Sequence, residues 1–155
     1  MEQKTKVNAE DGKQEIIITR EFDLPLELLF KAFVEPDIVE QWMGTKVLTL
    51  ESKKHGSYEF ETSDAKGNVV FRANGVIHEL SPNRKITRTF EMENTPFGVQ
   101  LELLEFEKLT DETSKLKMQT IYESVAQRDG VLQIGMAQGI NMAHNRLQDV
   151  VSKLK

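Results

Sequence analysis

The chain has no cysteine, so it can form no disulfide, thiol nucleophile or thiolate metal site. Its composition suits a reducing compartment, and a cytoplasmic location is expected. Proline is sparse, and a single tryptophan stands among few aromatics. No apolar run approaches the roughly 20 residues of a membrane-spanning helix. The opening MEQKTKVNAEDGKQ lacks the apolar centre of a secretory signal. Basic charge is also in short supply: Lys+Arg 20 against Asp+Glu 25 gives a net charge of −5. Without a basic run, nucleic acid is not an expected partner.

Catalytic motifs are missing too. There is no G-x-S-x-G, no P-loop and no dinucleotide fingerprint. His55, His78 and His144 are scattered, without the spacing of metal ligands, so neither a metal nor another cofactor is expected. No catalytic residues can be assigned, and the balance falls against an enzyme.

What remains is one domain's worth of alternating pattern. At 155 residues and 39% hydrophobic content, the chain can build a single core. Residues 1–12 are polar and are expected to be a flexible tail, leaving residues 13–155 as the domain. Residues 14–22 are β-branched with period two and form a strand. Pro25 opens a short helix carrying Leu26, Leu29, Phe30 and Phe33, and Pro36 opens a second that ends at Gly44. Six strands follow, over residues 46–53, 57–62, 69–80, 85–93, 99–109 and 114–123. Gly75, inside the third of these, signals a bulge, a bend or a close approach. Short turns make successive strands antiparallel neighbours.

The last stretch has a different period. Leu132, Met136, Gly139, Ile140, Ala143, Leu147, Val151 and Leu154 recur at steps of three and four, on one face of a helix. Asp129 is placed to cap it, and a helix from Asp129 to Leu154 would span about 39 Å. That is long enough to cross a whole sheet. Gly135 and Gly139, followed by Ala143, form a row of small residues on it. Each glycine costs about 1 kcal/mol against alanine in a helix. The row therefore implies either a backbone packed close against it or space left open for a ligand. The predicted architecture is α+β: a curved seven-stranded antiparallel sheet, two short helices at one end, and one long C-terminal helix across its face.

This order resembles the helix-grip fold of the START-like, birch-pollen-allergen-like superfamily, also called SRPBCC. Within it the chain is similar to the branch of the activator of heat shock protein 90 ATPase homologue-like domains. The likeness rests on ITREFDLPLELLFKAFVEPDIVEQWMG, HGSYEFE, DAKG, GVIHELSPNRKITRTFE and RDGVLQIGMAQGINMAHNRLQDVV, in that order. The resemblance implies a cavity between the C-terminal helix and the sheet for a hydrophobic or amphipathic small molecule. It also implies two alternatives: a chaperone-associated interaction module, and a cyclase- or hydrolase-like enzyme using the same cavity.

The residues expected to line such a cavity are Trp42, Tyr58, Phe60, Phe71, Phe90, Met118, Tyr122, Met136, Gly139, Ile140 and Ala143, with His78 and Arg88 as polar candidates. Tyr and Trp keep a polar handle on an apolar wall, and Met adapts to irregular shapes. The same set would also serve as plain core. Arg72 and Arg88 alternate with apolar residues. An inward Arg needs a carboxylate or a ligand anion, with Glu79 a possible partner, but a solvated position is the favoured reading for both. His144 is expected on the flank of the helix beside Ala143, solvated or a partial partner, and His78 either inward or beside Glu79 facing out.

Overall fold

Period-two alternation from Ile16 to Phe22 buries every second side chain, and the sheet grows outward from this strand. The computed structural model describes residues 4–155. In chain order the elements are β1 (Lys6–Asn8), β2 (Glu15–Phe22), α1 (Leu26–Val34), α2 (Pro36–Met43), β3 (Lys46–Leu50) and β4 (Ser57–Ser63). They continue with β5 (Val69–Ser81), β6 (Lys85–Met92), β7 (Val99–Lys108), β8 (Ser114–Ile121), α3 (Val125–Gln133) and α4 (Met136–Ser152). The strands form one antiparallel sheet in the order β1-β2-β8-β7-β6-β5-β4-β3. The α+β helix-grip architecture expected from the sequence is the one observed.

Three expectations are corrected. The sheet has eight strands rather than seven, because β1 lies inside the stretch expected to be a flexible tail. Lys6 pairs with Thr19 and Asn8 with Ile17, and the Thr5 side chain is buried. The outer edge of β2 has backbone donors and acceptors that need partners, and β1 supplies them. Residues 1–3 of the expected tail lie outside the described residues.

The C-terminal segment is two helices, not one. Gly135 has φ +85°, a left-handed conformation that glycine adopts without steric penalty and that interrupts the helix before Met136. The N-terminal cap is also not Asp129. Ser124 caps α3, its hydroxyl accepting from the Gln127 amide at 3.1 Å. Asp129 sits inside α3 and instead accepts from the buried Arg128 guanidinium at 2.9 Å. Arg128 also donates to the carbonyls of Glu10 at 2.6 Å and Glu15 at 3.2 Å, tying α3 to the start of the sheet.

The two glycines therefore separate. Gly135 makes a break. Gly139 lies in an exposed turn of α4, and a Cβ built there meets nothing within 4 Å. It packs against no backbone and is not among the residues lining the space under α4. Gly139→Ala is expected to stabilise the fold by about 1 kcal/mol through helix propensity alone. A lower urea midpoint for this variant would reveal a neighbour at that position.

Gly75 does mark a close approach. A Cβ there would collide with the Thr89 carbonyl and the Tyr58 ring. The register irregularities of β5 fall on either side of it, at Val69–Phe71 against β4 and between Ile77 and Glu79 against β6. Helices α1 and α2 close one end of the sheet. Phe30 meets Phe106 at 5.0 Å between ring centroids, and Phe33 meets Trp42 at 5.3 Å. The Trp42 indole donates to the Ala32 carbonyl at 2.6 Å, which satisfies the polar end of a buried ring. Arg146 of α4 donates to the Trp42 carbonyl at 3.1 Å, joining α4 to α2.

Candidate functional site

The site starts from strand register. Arg88 of β6 stands opposite Glu102 of β7, and Glu102 stands opposite Thr120 of β8. One row away, Ile86, Leu104 and Met118 align, and on the other side Phe90 aligns with Gln100. A polar row therefore crosses an otherwise apolar inner face.

The row is tightly bonded at one end and open at the other. Arg88 Nε donates to Glu102 Oε1 at 2.8 Å, with side-chain exposures of 11% and 4%. Gln100 Nε2 donates to Glu102 Oε2 at 2.8 Å. The Arg88 guanidinium carbon lies 5.3 Å from the Tyr58 ring centroid, so the aromatic face also offsets the buried cation. Burial works against the Arg88 charge, but Glu102 and then Tyr58 outweigh it and hold the pKa above its ordinary value. Thr120 is 1% exposed, and its hydroxyl has no hydrogen-bond partner among the described residues. Burial, and then the Glu102 charge, push the Tyr122 phenol up, so it stays protonated at neutral pH.

A cavity of about 240 Å³ lies over this row, between the sheet and α4. Its apolar walls come from Ile18 and Met118 on the sheet, Trp42 and Phe33 on the end helices, and Met136, Ile140 and Ala143 on α4. Phe60, Phe90 and Met92 add the side towards β4, and Arg88, Gln100, Glu102, Thr120, Tyr122 and His144 add the polar groups. The helical residues among these follow the steps of three and four that the sequence set out.

His144 enters from the helix side. Its Nδ1 lies 3.0 Å from the Thr5 hydroxyl, and Arg20 Nη1 donates to that same hydroxyl at 3.2 Å. Arg20 also donates to Asn145 Oδ1 at 2.7 Å, while Asn141 Oδ1 accepts from the Thr5 amide at 3.1 Å. The expected tail thus holds α4 against the sheet. Burial, reinforced by the Arg20 charge, lowers the His144 pKa to about 3, so the ring is neutral.

Of the residues expected to line a cavity, Trp42, Phe60, Arg88, Phe90, Met118, Tyr122, Met136, Ile140 and Ala143 come together around this one. Four do not. Tyr58 lies behind the wall, buried against Phe60 and Gly75, its hydroxyl donating to the Thr89 carbonyl. Phe71 sits in a shallow groove on the far end of β5 with Val69 and Val70. His78 is exposed, because β5 turns its odd-numbered neighbour Ile77 inward, and its ring lies 6.4 Å from that of His55. Gly139 faces open space.

The ion pairs correct the sequence reading as well. Arg88 is not solvated, and its partner is Glu102 rather than Glu79, which reaches Lys85 at 3.4 Å. Arg72 does lie at the surface, half-exposed and bonded to Glu61 at 2.7 Å. His144 is buried, not on a solvated flank. Gln100, Glu102 and Thr120 were not anticipated. The signal for them was present: taking Leu104 and Phe106 as the inner face of β7 puts Gln100 and Glu102 inward too. Leu101 and Leu103 obscured it by making the other face equally apolar.

Among the described residues, no group of three or more His, Asp or Glu is placed to hold a metal. No described helix is long and apolar enough to cross a membrane.

A curved antiparallel sheet closed over by a C-terminal helix, with a cavity between them, defines a helix-grip domain of the START-like class. The chain belongs to the family of Activator of Hsp90 ATPase homolog 1-like proteins, whose sequence model matches residues 23–152. No curated protein matches it. Among solved structures, a protein from Rhodobacter sphaeroides is similar with TM-score 0.86 and 18% identity, over 97% of this chain and 99% of that one. A solution structure from Arthrobacter aurescens gives TM-score 0.84 and 17% identity, over 96% and 91% of the two chains. Protein from Mycobacterium smegmatis gives 0.83 and 18%, over 95% and 96%. At such identities the likeness extends to the fold alone.

Proposed function

We propose that this protein binds an amphipathic small molecule in the cavity between α4 and the sheet. One observation carries the reading: an apolar space of about 240 Å³ is walled by a buried polar row in which the Thr120 hydroxyl lacks a partner among the described residues. A buried hydroxyl left unpaired is destabilising by about 1–3 kcal/mol, and a ligand atom would satisfy it. Cavities of this kind, mostly apolar with a few convergent polar groups, are the usual form of small-molecule sites.

The second reading, contact with a chaperone, draws on the family's description and on the exposed Val69 and Val70 at the β4–β5 hairpin. The cavity reading is preferred because it accounts for the buried polar row, which a surface contact leaves unexplained. An enzyme of cyclase or hydrolase type would use the same groups, but no nucleophile and base are paired in the cavity wall.

Trp42 is the only tryptophan and lines the cavity, so its emission reports occupancy directly. Native mass spectrometry of freshly purified protein should show a retained small molecule. Neutral eight-carbon probes should shift Trp42 emission. Ala143→Phe, which projects a ring into the space, should abolish both signals while leaving the circular dichroism spectrum intact. A wild-type protein that carries no adduct and shows no emission change with any probe would count against a ligand site.

A further inference from the structure

We propose that the cavity selects uncharged ligands bearing a hydrogen-bond acceptor, a carbonyl compound above all, and discriminates against the matching carboxylate. This rests on the cavity being a ligand site, and adds the chemical class of what enters it.

The first ground is charge. Among the described residues, the only formally charged groups in the cavity wall are Arg88 and Glu102, and they are bonded to each other at 2.8 Å. The wall is therefore neutral in sum. A bare buried Arg would attract an anion, but here Glu102 already occupies that place. A ligand carboxylate would bring a second negative charge beside Glu102 in a low-dielectric space, with no unpaired cation in the wall itself to offset it; Arg20 is not among the lining residues and spends its Nη1 on Thr5 and Asn145.

The second ground is the direction of the available hydrogen bonds. An Arg guanidinium only donates, so the Thr5 hydroxyl must accept from Arg20. Its one O–H is then free to donate to His144 Nδ1. That assignment leaves the imidazole proton on Nε2, which bonds to no described residue. From the sheet side, Arg88 uses only Nε on Glu102, and its Nη1 and Nη2 make no hydrogen bond among the described residues. The Thr120 hydroxyl is unpartnered among the described residues, and the protonated Tyr122 phenol stands on the same wall. The wall thus offers donors from both sides, while both Glu102 oxygens are engaged. A carbonyl oxygen fits that surplus of donors without adding charge.

Octanamide and octanoate have the same shape and differ in charge at neutral pH, so they isolate this property. Titration of Trp42 emission at pH 7.5 should give octanamide at least about tenfold tighter binding than octanoate, with octan-2-one close to the amide. Glu102→Gln removes the negative charge and leaves Arg88 unneutralised, so the preference should shrink or reverse in favour of octanoate. Octanoate binding wild-type protein as tightly as octanamide would overturn the selectivity while leaving the cavity reading intact. That comparison needs no variant, so it stands even if Glu102→Gln does not fold. If none of the probes binds and native mass spectrometry finds no adduct, the ligand site itself falls, and the selectivity with it.

Discussion

Glu102→Leu is expected to lower the free energy of unfolding by about 3–5 kcal/mol, the loss typical of a buried ion pair broken on one side. The pair is almost wholly removed from water, with Arg88 11% and Glu102 4% exposed at the side chain. Removing the carboxylate strands the Arg88 cation beneath α4 and also orphans Gln100 Nε2, which donates to Glu102. The Tyr58 ring would still face the guanidinium, but at 5.3 Å a neutral ring compensates only part of a buried charge. The double variant Arg88→Met/Glu102→Leu should regain most of the loss, because it removes both charges together and fills the space with apolar atoms. Urea denaturation of wild type and both variants checks this. A single variant no less stable than the double would mean that the pair is solvated rather than buried.

The second large effect is on pH. His144 is 1% exposed, and burial, with Arg20 nearby, lowers its pKa from the ordinary 6.5 to about 3. The unfolded chain therefore binds a proton at this residue well before the folded one does. Where the unfolded state binds more protons, stability rises with pH, so it must fall on acidification. The loss begins near pH 6.5, continues towards pH 3 and then levels off. Between pH 8 and pH 5 this one residue should lower stability by about 2 kcal/mol. Carboxylates titrate mostly below that range, so the window is dominated by histidine, and the His144 variant assigns the effect. His144→Gln should flatten the slope by close to one proton, whatever it does to stability at neutral pH. An unchanged slope would place the effect at another group. Because His144 is held by Thr5, and Thr5 by Arg20, the same acidification should also loosen β1 from the sheet. Lower amide protection factors at Lys6–Asn8 below pH 6, after correction for the intrinsic exchange rate at each pH, would report that release.

Much of this architecture was legible in local pattern. The alternation in β2, β4 and β8 fixed their inner faces, because a strand has only two sides and one was visibly apolar. Pro25, Pro36 and Gly44 punctuated α1 and α2 through their own backbone restrictions, independent of any neighbour. Steps of three and four placed Met136, Ile140 and Ala143 on the inward side of α4, and they are on the cavity wall. The likeness to the helix-grip branch rested on most of these segments, together with the DAKG hairpin and the strand–Pro–strand run of β5 and β6.

The rest depended on partners far apart in the chain. Glu102 and Arg88 are neighbours only because β6 and β7 pair in one register, and a shift by a single residue would have turned either outward. Gly135 and Gly139 look alike in sequence, yet one takes a left-handed conformation and ends a helix while the other stays helical and exposed. His144 is bonded in the interior because Thr5, just ahead of β1, reaches α4, a contact between the two ends of the chain that no local period encodes. Sequence alone determined which faces were apolar and hence the layers of the fold. Only the tertiary structure decided which polar groups those layers trap, because the burial of a charge depends on what stands opposite it.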